Sequence, residues 1–344
     1  MTVLVTAAAT GLCAFVVYVL IIGRSILLPL VIAIFVSYFV SVGAALASRL
    51  SIGGRPIPRF VRYAASLAIL LLLARLMFAL VLDNAGRVMA SAPIYEQNLL
   101  RLANQGASRL GMEEQTSVRV LFEGLHFTDL LRSLTFGLTS LLGSFGTIGI
   151  YTVFLLLEQK HFDTKIAALF PSEERQALVR RILARIAKEV QTYVWLKTVI
   201  SFVTSAASHA VMTMVGLDLA EFWALTIFGL NFIPYIGAWL GVIGPAALSL
   251  VQFESLTPFL VTTLTLAVIQ FSGGSIIEPR VMGSGLNLSP VVMVLSLALW
   301  GTIWGVVGMF LAVPIMVVIL IVCSHVEATR PIAVLLSANG ELRT

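Results

Sequence analysis

Long apolar runs alternate with short polar segments along the chain, at 4–22, 26–47, 63–82, 136–157, 194–216, 220–250, 256–272 and 291–323. A hydrocarbon core of about 30 Å takes roughly 20 apolar residues of helix to cross. Backbone polar groups in lipid must pair internally, so helices or closed barrels are the candidates. Unbroken apolar runs do not alternate as barrel strands do. The pattern predicts an all-α integral membrane protein with about eight transmembrane helices. Runs 220–250 and 291–323 exceed one straight span, and both contain Gly and Pro. Each predicts a broken or re-entrant helix in the C-terminal half.

The polar segments divide the chain into 1–82 (the first three spans), an extracytoplasmic helical segment 83–135, the fourth span 136–157, a basic amphipathic helix at 158–193, a transmembrane core 194–323 and a tail 324–344. In 83–135, Tyr95, Leu99 and Leu102 recur at helical spacing, with Gly106, Gly111 and Gly124 between short pieces. At 171–195, Pro171-Ser172 followed by Glu173 and Glu174 reads as a helix start, with a Ser cap and acids in the first turn. Leu178, Ile182, Ile186 and Val190 then form an apolar stripe, with Arg181, Arg185 and Lys188 beside it. That helix suits either anionic headgroups or packing on its own bundle.

Composition agrees with a lipid solvent: 59% of the 344 residues are hydrophobic and 11% charged, against about 25% charged in a soluble domain. The net charge of +5 comes from basic residues near span ends, which reports orientation and not nucleic-acid binding. The loop 48–62 holds Arg49, Arg55, Arg59 and Arg62 without an acid, and 158–190 is rich in Lys and Arg. Both are expected in the cytoplasm, with 83–135 outside and both termini inside. The first run lacks a basic n-region, so no cleavable signal peptide is expected. Cys13 and Cys323 lie in apolar runs, and no metal, phosphate-loop or redox motif is present, so no cofactor is expected.

Two interruptions stand out. In Asn231-Phe232-Ile233-Pro234-Tyr235-Ile236-Gly237, Pro234 removes a helix hydrogen bond and Gly237 loosens the next turn. Gly241, Gly244 and Pro245 continue the small-residue pattern. Unwound backbone at membrane depth must be buried or line a cavity, so this is a candidate pathway; a packed Pro kink is the plainer reading. In Gly273–Gly283, Glu278 and Arg280 flank Pro279 and are the only charges between Glu254 and Glu327. They suit a gate with partners on other helices, or a solvated loop between spans. Gly301, Gly305, Gly308 and Pro314 fit close helix packing. Lys197 sits near a span end, where snorkelling accounts for it. Arg75 lies inside the third span, where it can snorkel, pair with an acid or line water. His209 lies inside the fifth, where a hydrogen-bonded structural role is a commoner reading than a proton relay. No Asp or Glu lies deep in a span.

At these residues the chain resembles the autoinducer-2 exporter family of bacterial membrane transporters. The resemblance rests on Leu230-Asn231-Phe232-Ile233-Pro234 with Ile236-Gly237, on Glu278-Pro279-Arg280-Val281-Met282-Gly283, and on Leu295-Ser296-Leu297, Trp300-Gly301, Gly305, Gly308-Met309 and Ala312-Val313-Pro314. It covers nearly the whole chain and implies an eight-span inner-membrane bundle, a homo-oligomer such as a pentamer, and secondary transport or facilitated export without an ATP-binding domain. It points to Asn231, Pro234, Gly237, Glu278, Pro279 and Arg280 as functional positions, and less to Tyr235, where the family varies.

Three functions follow. Export of a small polar solute such as autoinducer-2 would use hydrogen-bonding and aromatic groups, which Asn231, Tyr235 and Trp239 offer. Na⁺/H⁺ antiport needs a carboxylate whose pKa crosses the working pH, and Glu278 is the best acid available. A non-transporting scaffold or regulator is the third. An enzyme is not expected, since no nucleophile–base or metal-ligand pattern is present.

Overall fold

The computed structural model describes residues 2–48, 51–52, 55–109, 145–282 and 287–342. Helices α1 (Thr2–Ile22) and α2 (Arg24–Ala47) coincide with the first two runs. A two-residue β-pair, Ser51–Ile52 with Arg55–Pro56, closes the turn that follows. Helix α3 (Arg59–Arg109) is one helix of 51 residues. The first part of 83–135 therefore continues the third run, and Gly106 lies inside the helix, not between separate pieces. Gly111, Gly124 and the start of the fourth run fall outside the described residues.

Helix α4 (Phe145–Glu158) leads through a 3₁₀ turn into α5 (Phe162–Leu169). Helix α6 (Glu173–Val215) follows, 43 residues long. Its start matches the sequence signal: the Ser172 Oγ accepts a 3.2 Å hydrogen bond from the Arg175 N–H. The basic amphipathic helix and the fifth span are one element, because nothing between Glu173 and Val215 breaks the helical pattern.

Helices α7 (Ala220–Leu230) and α8 (Ile236–Phe253) divide the sixth run. Helix α9 (Leu256–Phe271) passes through a π-helical turn at Ser272–Ile277 into α10 (Glu278–Met282). Residues 272–282 are thus helical, not a loop between spans, and the apolar helix extends over Leu256–Val281. Helix α11 (Pro290–His325) is followed by α12 (Arg330–Leu336). Five helices among the described residues are long and apolar enough to cross a membrane.

The chain forms two units: Met1–Leu70 with Ser144–Trp195 and Ser284–Thr344, and Leu71–Gly143 with Leu196–Gly283. In the first unit, α2 lies along α4, with Gln159 donating to Ser41 at 3.3 Å. Gly305 breaks α11 with φ +64° and ψ −146°. The chain bends so sharply there that a Cβ on Gly308 would overlap the Trp300 carbonyl, and one on Gly301 would stand 2.8 Å from Met309. The glycines at 301, 305 and 308 therefore let this run approach itself. Pro314 is buried in the limb beyond. The tail returns to the start of the run: the Ser289 N–H bonds the Leu336 carbonyl and the Ala338 N–H the Asn287 carbonyl.

In the second unit, the core is built from Tyr95 of α3, Met212 of α6, Trp223 and Ile227 of α7, Val242 and Leu248 of α8, and Leu266 of α9. Polar contacts close one end of it. Tyr95 donates to Asp218 at 2.9 Å, Asn98 to the Val251 carbonyl at 3.1 Å, and Gln252 to the Gly216 carbonyl at 2.9 Å.

Candidate functional site

The sixth run is a hairpin. Gly237 meets Leu230, Gly241 meets Ile227 and Gly244 meets Trp223. Each step forward on α8 matches a step back on α7, so the two helices run antiparallel. A Cβ on Gly237 would overlap the Leu230 carbonyl, so only glycine lets the backbones approach this closely. Tyr235 turns the chain with φ +62°, a conformation uncommon for non-glycine residues. Pro234, which has no N–H to leave unpaired, sits in the turn and its carbonyl accepts the Ile236 N–H at 2.7 Å. Phe232 and Ile233 at the tip are buried. The 11 residues of α7 rise only about 16 Å, too short for a full crossing.

The tip reaches α6. Asn231 Nδ2 donates to the Thr204 Oγ1 at 2.7 Å. Thr204 belongs to a buried polar stripe, Lys197, Ser201, Thr204 and Ser208, spaced at four, three and four residues on one helical face. Ser205 beside it donates to the Ala224 carbonyl at 2.6 Å. On this face Ser201 Oγ and Ser208 Oγ are buried without a hydrogen-bond partner among the described residues, and so, beside Gly241 of α8, is Gln270 Nε2 of α9. A buried polar group left without a partner costs about 1–3 kcal/mol, so this face is suited to a polar visitor.

One end of the stripe is closed by an ion pair. The Lys197 Nζ lies 2.6 Å from both Glu278 carboxylate oxygens. Lys197 does not snorkel: its side chain is 5% exposed and that of Glu278 22%. Two half-dehydrated charges hold each other in place, since either one alone would carry a heavy desolvation cost. Arg280 and Pro279 are exposed, away from this pair.

The structure therefore gathers Asn231 and Glu278 around α6, with Pro234 and Gly237 in the supporting hairpin. Tyr235 and Trp239 are 50% and 70% exposed, facing away from the buried interior that holds the stripe. Sequence reasoning assigned Lys197 to snorkelling, which its burial overturns, and passed over Ser201, Thr204, Ser208 and Gln270. Their signal was legible: polar residues at helical spacing inside an apolar span. No group of three or more His, Cys, Asp or Glu suited to a metal occurs among the described residues.

The sequence profile of the AI-2E family transporter matches residues 11–328. Over 210 residues the chain is 35% identical to the AI-2 transport protein TqsA of Escherichia coli (strain K12), covering 60% of this chain and 59% of that protein. It is 28% identical over 255 residues to a candidate transport protein of Borreliella burgdorferi, covering 73% of this chain and 69% of the relative. It is 31% identical over 204 residues to the candidate transport protein YhhT of Escherichia coli (strain K12), covering 59% and 57%. The TqsA and YhhT matches thus span less than two thirds of those proteins.

Proposed function

Because this chain belongs to the AI-2E transporter family, and so is a membrane transporter and not an enzyme, we propose that it exports a small polar solute along the polar face of α6. The observation that carries this reading is the Lys197–Glu278 pair at the end of a buried stripe whose Ser201 and Ser208 hydroxyls have spare hydrogen-bonding capacity. The pair compensates its own charge, which favours a neutral, hydroxyl-rich cargo. Autoinducer-2 is the leading candidate, a choice supported by the similarity to TqsA. Asn231 and Thr204 would meet the solute where the hairpin tip touches α6, and Glu278 and Lys197 would gate its passage.

Na⁺/H⁺ antiport is the second reading, favoured by the one carboxylate at the site, Glu278. It is weaker because Lys197 already neutralises that carboxylate. We further propose a homo-oligomer, as the family resemblance implies, in the bacterial inner membrane; the Arg-rich loop 48–62 supports cytoplasmic termini.

Proteoliposomes test the reading. Autoinducer-2 flux should exceed leak and fall in Glu278→Gln, while Na⁺ gradients drive no exchange. Sodium-driven proton movement without autoinducer-2 flux would select the antiporter. No flux of either kind would favour a scaffold.

A further inference from the structure

The contacts along α6 expose a register problem that the π-helical turn resolves. Gly273 lies against the Thr204 side chain, and Lys197 is seven residues earlier on the same face of α6. An uninterrupted α-helix, at about 100° per residue, returns residue i+7 to within about 20° of residue i and turns residue i+5 about 140° away. An α-helical continuation from Gly273 would therefore set Arg280 opposite Lys197 and point Glu278 elsewhere. The turn at Ser272–Ile277 bonds the Glu278 N–H to the Gly273 carbonyl, five residues back. Such a widened turn takes up one extra residue, which brings Glu278 to about 40° from Gly273 and moves Arg280 to about 120°. That is the arrangement observed: Glu278 on Lys197 and Arg280 exposed.

The sequence weakens the usual preference for the α register. Pro279 has no N–H for the Ser275 carbonyl that α geometry would pair with it, and its ring crowds that carbonyl. Gly273 and Gly274 have low α-helix propensity, and a Cβ on Gly274 would meet nothing within 4 Å.

We propose that the Ser272–Ile277 turn is a register switch for the gate. In the π register Glu278 closes on Lys197. In the α register Arg280 takes its place, and the like charges part the two helices. This rests on the transport reading above, and the closing experiment separates the two.

Spin labels at Phe202 and Val281, both exposed, report the rotation of α10 in the full-length protein. Exchanging the two charges (Glu278→Arg with Arg280→Glu) should favour the α register and move the main distance away from that of the wild type. Deleting Gly274 removes the extra residue, so a regular helix then keeps Glu278 on Lys197. This variant should retain the wild-type distance yet lose flux at least tenfold. An unmoved distance in the charge exchange, or wild-type flux after the deletion, would overturn the switch. A moved distance in a protein without flux would leave the switch standing and remove the transport reading.

Discussion

Lys197 and Glu278, 81 positions apart in sequence, are joined by a two-pronged ion pair with both oxygens 2.6 Å from the ammonium nitrogen. The pair ties α6 to the end of the helix that begins at Leu256. Its partners come from segments that look unrelated in sequence: one near the end of an apolar span, the other beside a proline.

Removing one partner strands the other. Lys197→Ala is expected to destabilise the protein by about 3–5 kcal/mol, the usual cost of leaving a buried charge uncompensated. Exchanging the two residues (Lys197→Glu with Glu278→Lys) should recover most of that loss. Thermal unfolding in detergent measures both, and an exchange no better than the single variant would refute the pairing.

Gly237 is required by contact with backbone, not with a flexible side chain. Gly237→Ala should cost about 1–3 kcal/mol, the range for overpacking a filled site, and should splay α7 from α8. Gly229→Ala, where a Cβ meets nothing within 4 Å, is the control and should be tolerated. Cross-linking of cysteines placed at Ile227 and Gly241 reads the hairpin directly; it should fail in Gly237→Ala and persist in Gly229→Ala.

The Asn231–Thr204 hydrogen bond should show as coupling. Asn231→Ala and Thr204→Val each lose it, and the double variant should fall short of additivity by about 0.5–1.5 kcal/mol, the net worth of one such bond. Additive losses would mean that the hairpin tip does not depend on α6.

Outside the membrane, Glu158 is held below the ordinary carboxylate range, first by its hydrogen bond to Lys165 and then by that lysine's charge. A depressed carboxylate stabilises above its ordinary pKa and loses that contribution as pH falls through the lowered value. The anchorage of α5 to the end of α4 should therefore be intact at neutral pH and fail only in acid. Lys165→Gln should return the Glu158 titration, followed by NMR, to the ordinary range.

Much was legible in the sequence because a bilayer accepts few solutions. The apolar runs dictated helices, and Pro171-Ser172-Glu173-Glu174 dictated where α6 begins. Pro234 and Gly237 announced a break, since each removes a local reason to stay helical. Pro279 beside Gly273 and Gly274 carried the signal for an irregular turn. Local chemistry is enough for these, because each depends on residues within a turn or two.

Tertiary structure decided the rest. A broken helix can kink or reverse, and the reversal of 220–253 follows from glycine contacts between α7 and α8 that only the packed hairpin reveals. Which charge meets Lys197 depends on how many residues a single turn absorbs, since one residue rotates everything after it by about 100°. The sequence by itself therefore determined that this protein lives in a membrane and where its helices are interrupted. Packing determined that Glu278, and not Arg280, faces the polar side of α6, because helical phase accumulates along the chain while ion pairing is judged at one point in space.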